Sequence, residues 1–510
     1  MASAVGVLVL ALLINLNYVQ VVKGDSYRNN PGNRRVILTE YSTPRGQIIV
    51  QGNPIAESQA TNDELKYVRV YPQGPVYAPV TGFYSLVYGK PYGLEHAEDG
   101  VLGGTDNRLF GSRLGDILTG RDAKGGSVVT TLNAAAQQAA YTAMAKQKGA
   151  VVAMDPTTGA ILAAVSLPSY DPSLLSSHDT AAITTYWKSL NPDDPSSPLI
   201  NRAFTQTYAP GSVMKVITSA AALKDGVKID EQIPAPNSYW PLGGSGACPK
   251  AGGAACIQNF DGETCDNGTT ASMALAFAKS CNTAFAQLGV EKIGGNALGA
   301  EAKAFGLTGD SRSVPVPVSA STIGSQSDLT DKAALAQTSI GQRDVRITPV
   351  QGAMIAAAVA NGGTSMKPYL VDQERAPDLS VLTKTEPEQL GQVLDATLDQ
   401  QLEQMMVGVV QNGTGTAAQI TAADAAKNPS LKGVTVGGKT GTADTGVYVN
   451  GVQTPPHAWF VGFAVQNGVA KIAVAVIVEN GGVNGNETTG GLAAAPIAKS
   501  VIEAYLGSAK

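Results

Sequence analysis

Strand-like apolar runs lie at both ends of the stretch that begins at residue 149. Two runs come early and are separated by the turn residues 155–159. Three come late, and Asn467-Gly468, a strong hairpin signal, joins the last two. The five predicted strands are 150–154, 160–165, 433–442, 458–465 and 470–478. Because helix-rich sequence separates the two groups and a helical segment closes the chain, we expect one five-stranded sheet in an α+β domain.

Composition divides the chain into three parts, residues 1–22, 23–148 and 149–510. The first part is uncharged and apolar. The second carries short β-rich runs broken by Gly and Pro, and the third holds the five strands. Leucine and alanine at helical spacing also predict a helix at 128–148. We therefore expect an N-terminal anchor, a small N-terminal domain and a large α+β domain.

Residues 1–22 could just span a hydrocarbon core of roughly 30 Å as a helix that rises about 1.5 Å per residue. The alternative is a cleaved signal peptide, but no small-residue cleavage site follows the apolar run. The sequence thus favours a retained single-pass membrane anchor. Basic residues follow this run and none precede it, so the positive-inside rule alone would leave the body of the protein in the cytoplasm.

The four cysteines indicate instead that the body of the protein lies outside the cytoplasm. They are Cys248, Cys256, Cys265 and Cys281. An even number without a CxxC pair is typical of disulfides formed in an oxidising compartment, and less typical of a zinc site. The sequence allows three pairings. Short loops close at lower entropy cost, which favours Cys248–Cys256 and Cys265–Cys281.

The overall balance of residue types excludes several classes of protein. The formal net charge is −5, so the chain has no broad basic footprint for nucleic acid. Hydrophobic residues make up 44% and charged residues 15%, which excludes global disorder. The three histidines are scattered without HExxH spacing, so we expect no His-rich metal site.

Three short motifs occur in order and carry the candidate chemistry: Ser212-Val-Met-Lys215, Ser280-Cys-Asn282 and Lys439-Thr440-Gly441. The first follows a Pro-Gly turn and opens a helical run, where a serine is either an N-cap or a nucleophile. The second lies between two helical runs and is either a helix stop or a loop that presents a hydroxyl and an amide. The third lies along a predicted strand, which could pair with an extended peptide.

Lys215 is the candidate base for Ser212, because residues three apart share a helix face. An ordinary lysine, with a pKa of about 10.4, is protonated at neutral pH and cannot act as a base. The hypothesis therefore requires burial or a nearby cation to lower the pKa of Lys215. Lys439 could be that cation.

Two glycine-rich segments resemble nucleotide-binding loops. Residues 433–440 match GxxxxGK[ST], but the strand-like residues fall inside the loop and no helix start follows. Residues 413–418 resemble a dinucleotide fingerprint but open no parallel βαβ unit. We interpret the first as strand and the second as a turn.

The three ordered motifs resemble those of the penicillin-binding protein and serine β-lactamase superfamily. Similarity covers residues 149–510, including the extended nucleophile box at 201–215 and the final strands at 437–443 and 457–462. Upstream, residues 43–48 resemble the arginine-glycine box of the class B pedestal domain. The resemblance implies a transpeptidase domain with a five-stranded antiparallel sheet flanked by helices.

The family's mechanism requires no metal or cofactor, and the resemblance assigns a role to each matching residue. Ser212 would attack the carbonyl between the two terminal D-alanines of a peptidoglycan stem peptide, and Lys215 would take its proton. Ser280 and Lys439 would relay a proton to the leaving group, while Asn282 would hold the substrate amide. Lys439, Thr440 and Thr442 would bind the terminal carboxylate of the substrate, or of a β-lactam. The small Gly441 would let the backbone of the substrate approach the strand closely. The backbone N–H groups of Ser212 and Thr442 would hold the oxyanion.

Two rival functions share the same acylation chemistry. A β-lactamase or carboxypeptidase would pass the acyl group to water, and a sensor or scaffold would acylate without turnover. The additional N-terminal domain and the anchor favour a wall-synthesis transpeptidase that also binds other wall-synthesis or division proteins.

Overall fold

The computed structural model describes residues 2–23, 40–111, 124–243, 248 and 255–508. Its strands are β1 Ile48–Val50, β2 Asn53–Ala60, β3 Tyr67–Val70, β4 Ser127–Thr130, β5 Gly149–Met154, β6 Ile161–Leu167, β7 Gln232–Pro234, β8 Ser238–Tyr239, β9 Ile257–Gln258, β10 Thr270–Ser272, β11 Arg312–Ser313, β12 Pro317–Val318, β13 Thr364–Met366, β14 Val371–Arg375, β15 Val381–Lys384, β16 Gln389–Gln392, β17 Val434–Ala443, β18 Tyr448–Val449, β19 Val452–Gln453, β20 His457–Gln466 and β21 Val469–Val478.

Its α-helices are α1 Ala2–Asn17, α2 Gly74–Thr81, α3 Gly93–Ala97, α4 Asp99–Leu102, α5 Ala134–Met144, α6 Pro172–Leu175, α7 Thr180–Ser189, α8 Lys215–Lys224, α9 Met273–Ala278, α10 Asn282–Gln287, α11 Gly294–Ala304, α12 Gln326–Thr330, α13 Lys332–Thr338, α14 Pro349–Ala360, α15 Ala396–Asn412, α16 Ala422–Lys427 and α17 Ala495–Ser508. Short 3-10 and π-helical segments lie at Tyr18–Val22, Asn107–Leu109, Gly211–Met214, Phe260–Gly262, Leu288–Ile293, Thr416–Ala418, Pro429–Leu431, Glu479–Glu487 and Gly490–Ala494.

The N-terminal domain is built on a six-stranded sheet in the order β15-β14-β4-β1-β2-β3. Strands β1 and β4 pair in parallel, and the other neighbours are antiparallel. The fully buried carboxylate of Glu95 binds Arg45 and also Arg69, which lies on the edge strand β3. Arg45 belongs to the segment that resembles the class B arginine-glycine box. Strands β14 and β15 come from the third part of the chain, so this sheet draws strands from both sides of the boundary predicted at residue 149.

The C-terminal domain is built on the predicted five-stranded sheet, in the order β17-β20-β21-β5-β6. Every neighbouring pair is antiparallel, which confirms the α+β fold class. The turn between β20 and β21 has positive φ at both Asn467 (52°) and Gly468 (79°), as a tight two-residue hairpin requires. The two early and three late runs therefore form one sheet.

Helices cover both faces of this sheet, which explains why its strands read as continuous apolar runs. Helix α14 is buried on one face, beside Val461 and Ala475. Helices α5 and α17 cover the other face, where Phe460 and Val474 are buried.

The predicted helix at 128–148 is correct only over Ala134–Met144, and both of its predicted ends are wrong. Residues 127–130 form β4, because β-branched side chains favour a strand here and β1 offers a partner. Asn133 then caps α5 by accepting a hydrogen bond from the N–H of Ala136. Although α5 precedes residue 149, it packs with α17, and Asn133 donates to the Ser508 hydroxyl at 3.1 Å.

The anchor predicted at residues 1–22 falls on α1 and on the π-helical segment Tyr18–Val22. Among the residues that the structure describes, no helix has both the length and the apolar character to cross a membrane. The anchor stays a prediction.

Candidate active site

Ser212 lies in the 3-10 turn Gly211–Met214, directly before α8. We call residues 208–211 the nucleophile turn. Gly211 has a φ of 52°, and a Cβ on it would lie 2.6 Å from the backbone oxygen of Thr442. Glycine is therefore needed here both for the left-handed backbone and for the close approach to β17. The Ser212 side chain is half-buried, and its hydroxyl makes no hydrogen bond to another described residue.

Lys215, one turn along, is completely buried. Its Nζ donates to the backbone oxygen of Ser280 at 2.7 Å and to Oδ1 of Asn282 at 2.8 Å, and lies 3.3 Å from the Ser280 hydroxyl. Burial, with the nearby charge of Lys439 as a second cause, holds the pKa of Lys215 well below that of an ordinary lysine. Lys215 therefore has the lowered pKa that it needs to act as the base for Ser212.

Ser280 is the middle residue of the three-residue gap between α9 and α10, as the sequence predicts for a loop between two helices. Its φ is 61°, an uncommon value for a residue with a side chain. Asn282 begins α10, and its Nδ2 donates to the backbone oxygen of Gln258 at 3.1 Å. The Ser-Cys-Asn motif is thus an ordered loop that faces Lys215.

Lys439 lies on β17 and is also completely buried. Its Nζ donates to the Ser280 hydroxyl at 2.9 Å and to the backbone oxygen of Thr440 at 3.1 Å. Burial lowers the pKa of Lys439 to about 7. The Ser280 hydroxyl therefore lies between two buried amines. Because two like charges so close together repel each other, we expect this cluster to hold one positive charge near neutral pH.

The remaining residues of the third motif divide between the cleft and the packing behind it. Thr440 and Thr442 line the cleft. Gly441 does not: a Cβ there would lie 2.6 Å from the backbone oxygen of Pro210 and 3.2 Å from Cγ2 of Val213. The missing side chain of Gly441 lets β17 approach the nucleophile turn, whereas its predicted contact with a substrate backbone stays a prediction.

The motif residues open onto one cleft of about 500 Å3. Ser212, Ser280 and Asn282 lie on its walls together with the two threonines of β17. The other lining residues are Asn259, Phe260, Glu263, Thr264, Cys265, Lys279, Cys281, Ile340, Gln342, Thr414, Thr489, Gly490 and Gly491. The cleft is large enough for a small peptide or a drug-sized ligand.

All four cysteines are paired, as Cys248–Cys256 and Cys265–Cys281. This confirms the predicted pairing and leaves no thiolate for a zinc site. The second disulfide ties the loop before α9 to the residue between Ser280 and Asn282. Both of its sulfurs belong to cleft-lining residues. This bridge is part of the wall of the site.

Sequence reasoning missed Thr414, which lines the cleft and hydrogen-bonds through its hydroxyl to that of Thr440. It lies in the 413–418 segment, which is a turn as the sequence predicts, but the glycine-rich pattern of that segment gives no signal for this contact. It also missed Gly341, whose Cβ would lie 2.1 Å from the Gly211 oxygen. Residues 433–440, the literal P-loop match, run into β17 and open no helix.

Two family models match the chain. The penicillin-binding protein transpeptidase domain matches residues 149–503, and the penicillin-binding protein A dimerisation domain matches residues 45–128. The first match alone covers more than half of the chain. The chain belongs to the class B penicillin-binding protein transpeptidases.

Relatives in mycobacteria are similar over almost the whole chain. A protein of Mycolicibacterium smegmatis described as peptidoglycan D,D-transpeptidase PbpA is 46% identical over an alignment of 511 positions, which covers 99% of this chain and 98% of the relative. The protein of the same description in Mycobacterium tuberculosis is 45% identical, over 98% of this chain and 96% of the relative. The length of the chain and its residues 17–20 also resemble those of actinobacterial penicillin-binding protein A, and these relatives confirm that resemblance.

Solved structures of penicillin-binding protein A from M. tuberculosis are also similar to this chain. The ceftriaxone acyl-enzyme of M. tuberculosis penicillin-binding protein A matches with a TM-score of 0.83 and 45% identity, over 92% of this chain and all of that chain. The penicillin G acyl-enzyme of the same protein matches with a TM-score of 0.80 and 44% identity, over 91% of this chain and all of that chain.

Proposed function

We propose that this chain is a peptidoglycan D,D-transpeptidase that crosslinks stem peptides through an acyl-enzyme on Ser212 and is acylated there by β-lactams. One observation carries the proposal: two buried lysines from different motifs meet at one serine hydroxyl, in a cleft that also holds Ser212. The similarity to named D,D-transpeptidases and to acyl-enzyme structures supports the same activity.

Lys215 is the general base. A neutral amine has two N–H donors and one lone pair, and the two shorter contacts of Lys215 occupy both donors. Its lone pair is then free to accept the proton of Ser212 when the substrate carbonyl approaches. The hydroxyl of Ser212 is not bonded to Lys215 in the free structure. Catalytic hydrogen bonds of this kind often tighten only in the substrate complex.

Ser280 and Lys439 move the proton onward. Once Lys215 has taken the Ser212 proton, it can donate to the Ser280 hydroxyl, 3.3 Å away, while Lys439 donates to the same oxygen at 2.9 Å. Ser280 can then give its own proton to the leaving D-alanine nitrogen and take one back from Lys215, which leaves Lys215 neutral again. An amine of a neighbouring stem then attacks the ester carbonyl and forms the new amide. Lys215 takes the proton that this amine loses and gives it to the Ser212 oxygen, which is released as a hydroxyl.

The substrate's terminal carboxylate would lie along β17. Thr440 and Thr442 present hydroxyls to the cleft, and the charge on Lys439 lies behind them. The backbone N–H groups of Ser212 and Thr442 would hold the oxyanion, because the close packing at Gly211 and Gly441 brings the two backbones together. The side-chain amide of Asn282 would hold the peptide amide of the stem.

We also infer that the catalytic domain works outside the cytoplasm, next to a membrane-anchored N-terminus. The two disulfides support this, because such bonds persist in oxidising compartments. We infer further that the N-terminal domain docks other wall-synthesis proteins during cell division or shape maintenance. Its position beside the cleft domain, with no residue in the cleft, is consistent with that role.

The activity is tested by supplying both substrates. The purified full-length chain is incubated with a stem pentapeptide ending in D-Ala-D-Ala and with an amine-bearing tetrapeptide, and the products are separated by mass spectrometry. We expect D-alanine release and a crosslinked dimer, both absent from Ser212→Ala. Release of D-alanine with only tetrapeptide as product, at every acceptor concentration, would identify a carboxypeptidase and contradict the proposal.

A further inference from the structure

A buried ionic network lies behind the active site, around Glu479 at the end of β21. Oε1 of Glu479 accepts a hydrogen bond from the Tyr208 hydroxyl at 2.6 Å and from Nε of Arg202 at 2.9 Å. Lys148 lies 3.0 Å from Oε2. None of these four residues lines the cleft, so none contacts a substrate there.

Tyr208 connects this network to the nucleophile. It begins the nucleophile turn, four residues before Ser212. Its backbone exchanges two hydrogen bonds with Ile347, each of 2.9 Å. The next residue, Ala209, accepts a hydrogen bond from the indole N–H of Trp459 at 3.0 Å. The Tyr208 hydroxyl is the side-chain contact that ties this turn to the end of β21.

Glu479 is ionised in this network. Burial alone would raise the pKa of its carboxyl, but the hydrogen bond from Tyr208 and the charges of Arg202 and Lys148 outweigh burial and lower the pKa. Each partner therefore meets a full negative charge, which strengthens the hydrogen bond from Tyr208.

The register of the sheet places the contact between Glu479 and Tyr208 at the same end of the sheet as Thr442. Strand β21 pairs with β20, and β20 pairs with β17 along the registers that place Ala458 opposite both Val478 and Thr442. Glu479 follows Val478 directly. The carboxylate is thus fixed to the same end of the sheet that presents Thr442, and through Tyr208 it fixes the turn that presents Ser212.

We propose that Glu479 is a positioning residue for the acylation step, which sets Ser212 against the β17 backbone by holding the hydroxyl of Tyr208. The inference rests on the proposed role of Ser212 as the nucleophile. It goes beyond that role because it makes the acylation rate constant depend on residues that lie outside the cleft. A displaced nucleophile lowers the rate of the chemical step more than it lowers binding.

Tyr208→Phe is the decisive variant, because it removes the hydrogen bond and keeps the buried ring. The full-length chain is mixed with a chromogenic β-lactam over a range of concentrations, to separate the acylation rate constant from the dissociation constant of the first complex. We expect the rate constant to fall about tenfold and the dissociation constant to change by less than about twofold.

A second tyrosine in the chain provides a matched control. The Tyr71 hydroxyl donates to Glu95 at 3.1 Å, and Glu95 is buried between Arg45 and Arg69, in the N-terminal domain. The exposed fractions of Tyr71 and Tyr208 are 3% and 4%. Tyr71→Phe therefore removes the same kind of bond at a similar burial, and its acylation rate constant should stay within about twofold of the original.

Thermal unfolding of both variants separates positioning from general destabilisation. An equal loss of acylation rate in the two variants, or an unchanged rate in Tyr208→Phe, would overturn the proposal. Glu479→Gln should lower the acylation rate constant as Tyr208→Phe does. If Glu479→Gln does not fold, because the buried charge of Arg202 has lost its partner, Tyr208→Phe alone tests the proposal. If Ser212 were not the nucleophile, the unmodified chain itself would fail to acylate at Ser212, which is a distinct result.

Discussion

Ser280 combines two properties that substitutions can separate. Its hydroxyl lies within hydrogen-bond distance of both Lys215 and Lys439, and its backbone has a φ of 61°. Ser280→Ala removes the hydroxyl and keeps the unfavourable backbone. Ser280→Gly removes the hydroxyl as well, but tolerates the backbone conformation.

The two properties predict different magnitudes. A hydrogen bond to a charged group contributes about 1.5–3 kcal/mol, so loss of the hydroxyl should lower the acylation rate constant roughly 10- to 150-fold in both variants. The left-handed conformation costs a residue with a side chain roughly 1–2 kcal/mol. We therefore expect Ser280→Gly to be more stable than Ser280→Ala by about 1 kcal/mol, after allowing for the greater entropy of unfolded glycine.

The assay is stopped-flow acylation by a chromogenic β-lactam, alongside urea unfolding of each full-length variant. Wild-type acylation in both variants would refute the proton relay through Ser280. Recovery of the rate in Ser280→Gly but not in Ser280→Ala would show that the backbone, and not the hydroxyl, carries the effect.

Three further outcomes follow from the site. Burial, with a neighbouring cation, lowers the pKa of Lys215, so the acylation rate constant should fall on acidification below neutral pH, as protonation removes the base. It should also fall on the alkaline side, where Lys439, with a pKa of about 7, loses its charge; a rate that rises on acidification below neutral pH would contradict this. Gly341→Ala should lower acylation at least about tenfold, because its Cβ would lie 2.1 Å from a backbone oxygen of the nucleophile turn. Its control is Gly362→Ala, which has a similar positive φ but open space around it and should acylate normally. Reduction of Cys265–Cys281 should cost about 3 kcal/mol of stability and slow acylation; unchanged kinetics after confirmed reduction would count against a role for this bridge.

The sheet and the motifs could be predicted because each has a strong local signal. Buried strands read as continuous apolar runs, Asn467-Gly468 marks its hairpin, and serine, lysine and glycine recur at spacings that the chemistry requires. The pairing of the cysteines followed from loop length alone.

The remaining features depend on contacts between residues far apart in the chain. Strands β14 and β15 cross to the N-terminal sheet, although nothing in residues 371–384 indicates which sheet they join. Thr414 and Gly341 take their roles from the residues that face them, at Thr440 and Gly211. Gly441 has a sequence signal for close approach, but only the fold shows that the nucleophile turn is what approaches.

The central claim is that Ser212 is acylated and that its ester is slow to hydrolyse. Intact-mass spectrometry of the full-length chain mixed with benzylpenicillin, followed over hours, tests it most directly. We expect one adduct that maps to Ser212, persists, and is absent from Ser212→Ala. A transient adduct with released hydrolysed drug would identify a β-lactamase. Folded chain with no adduct would mean that the three motifs do not form a working site.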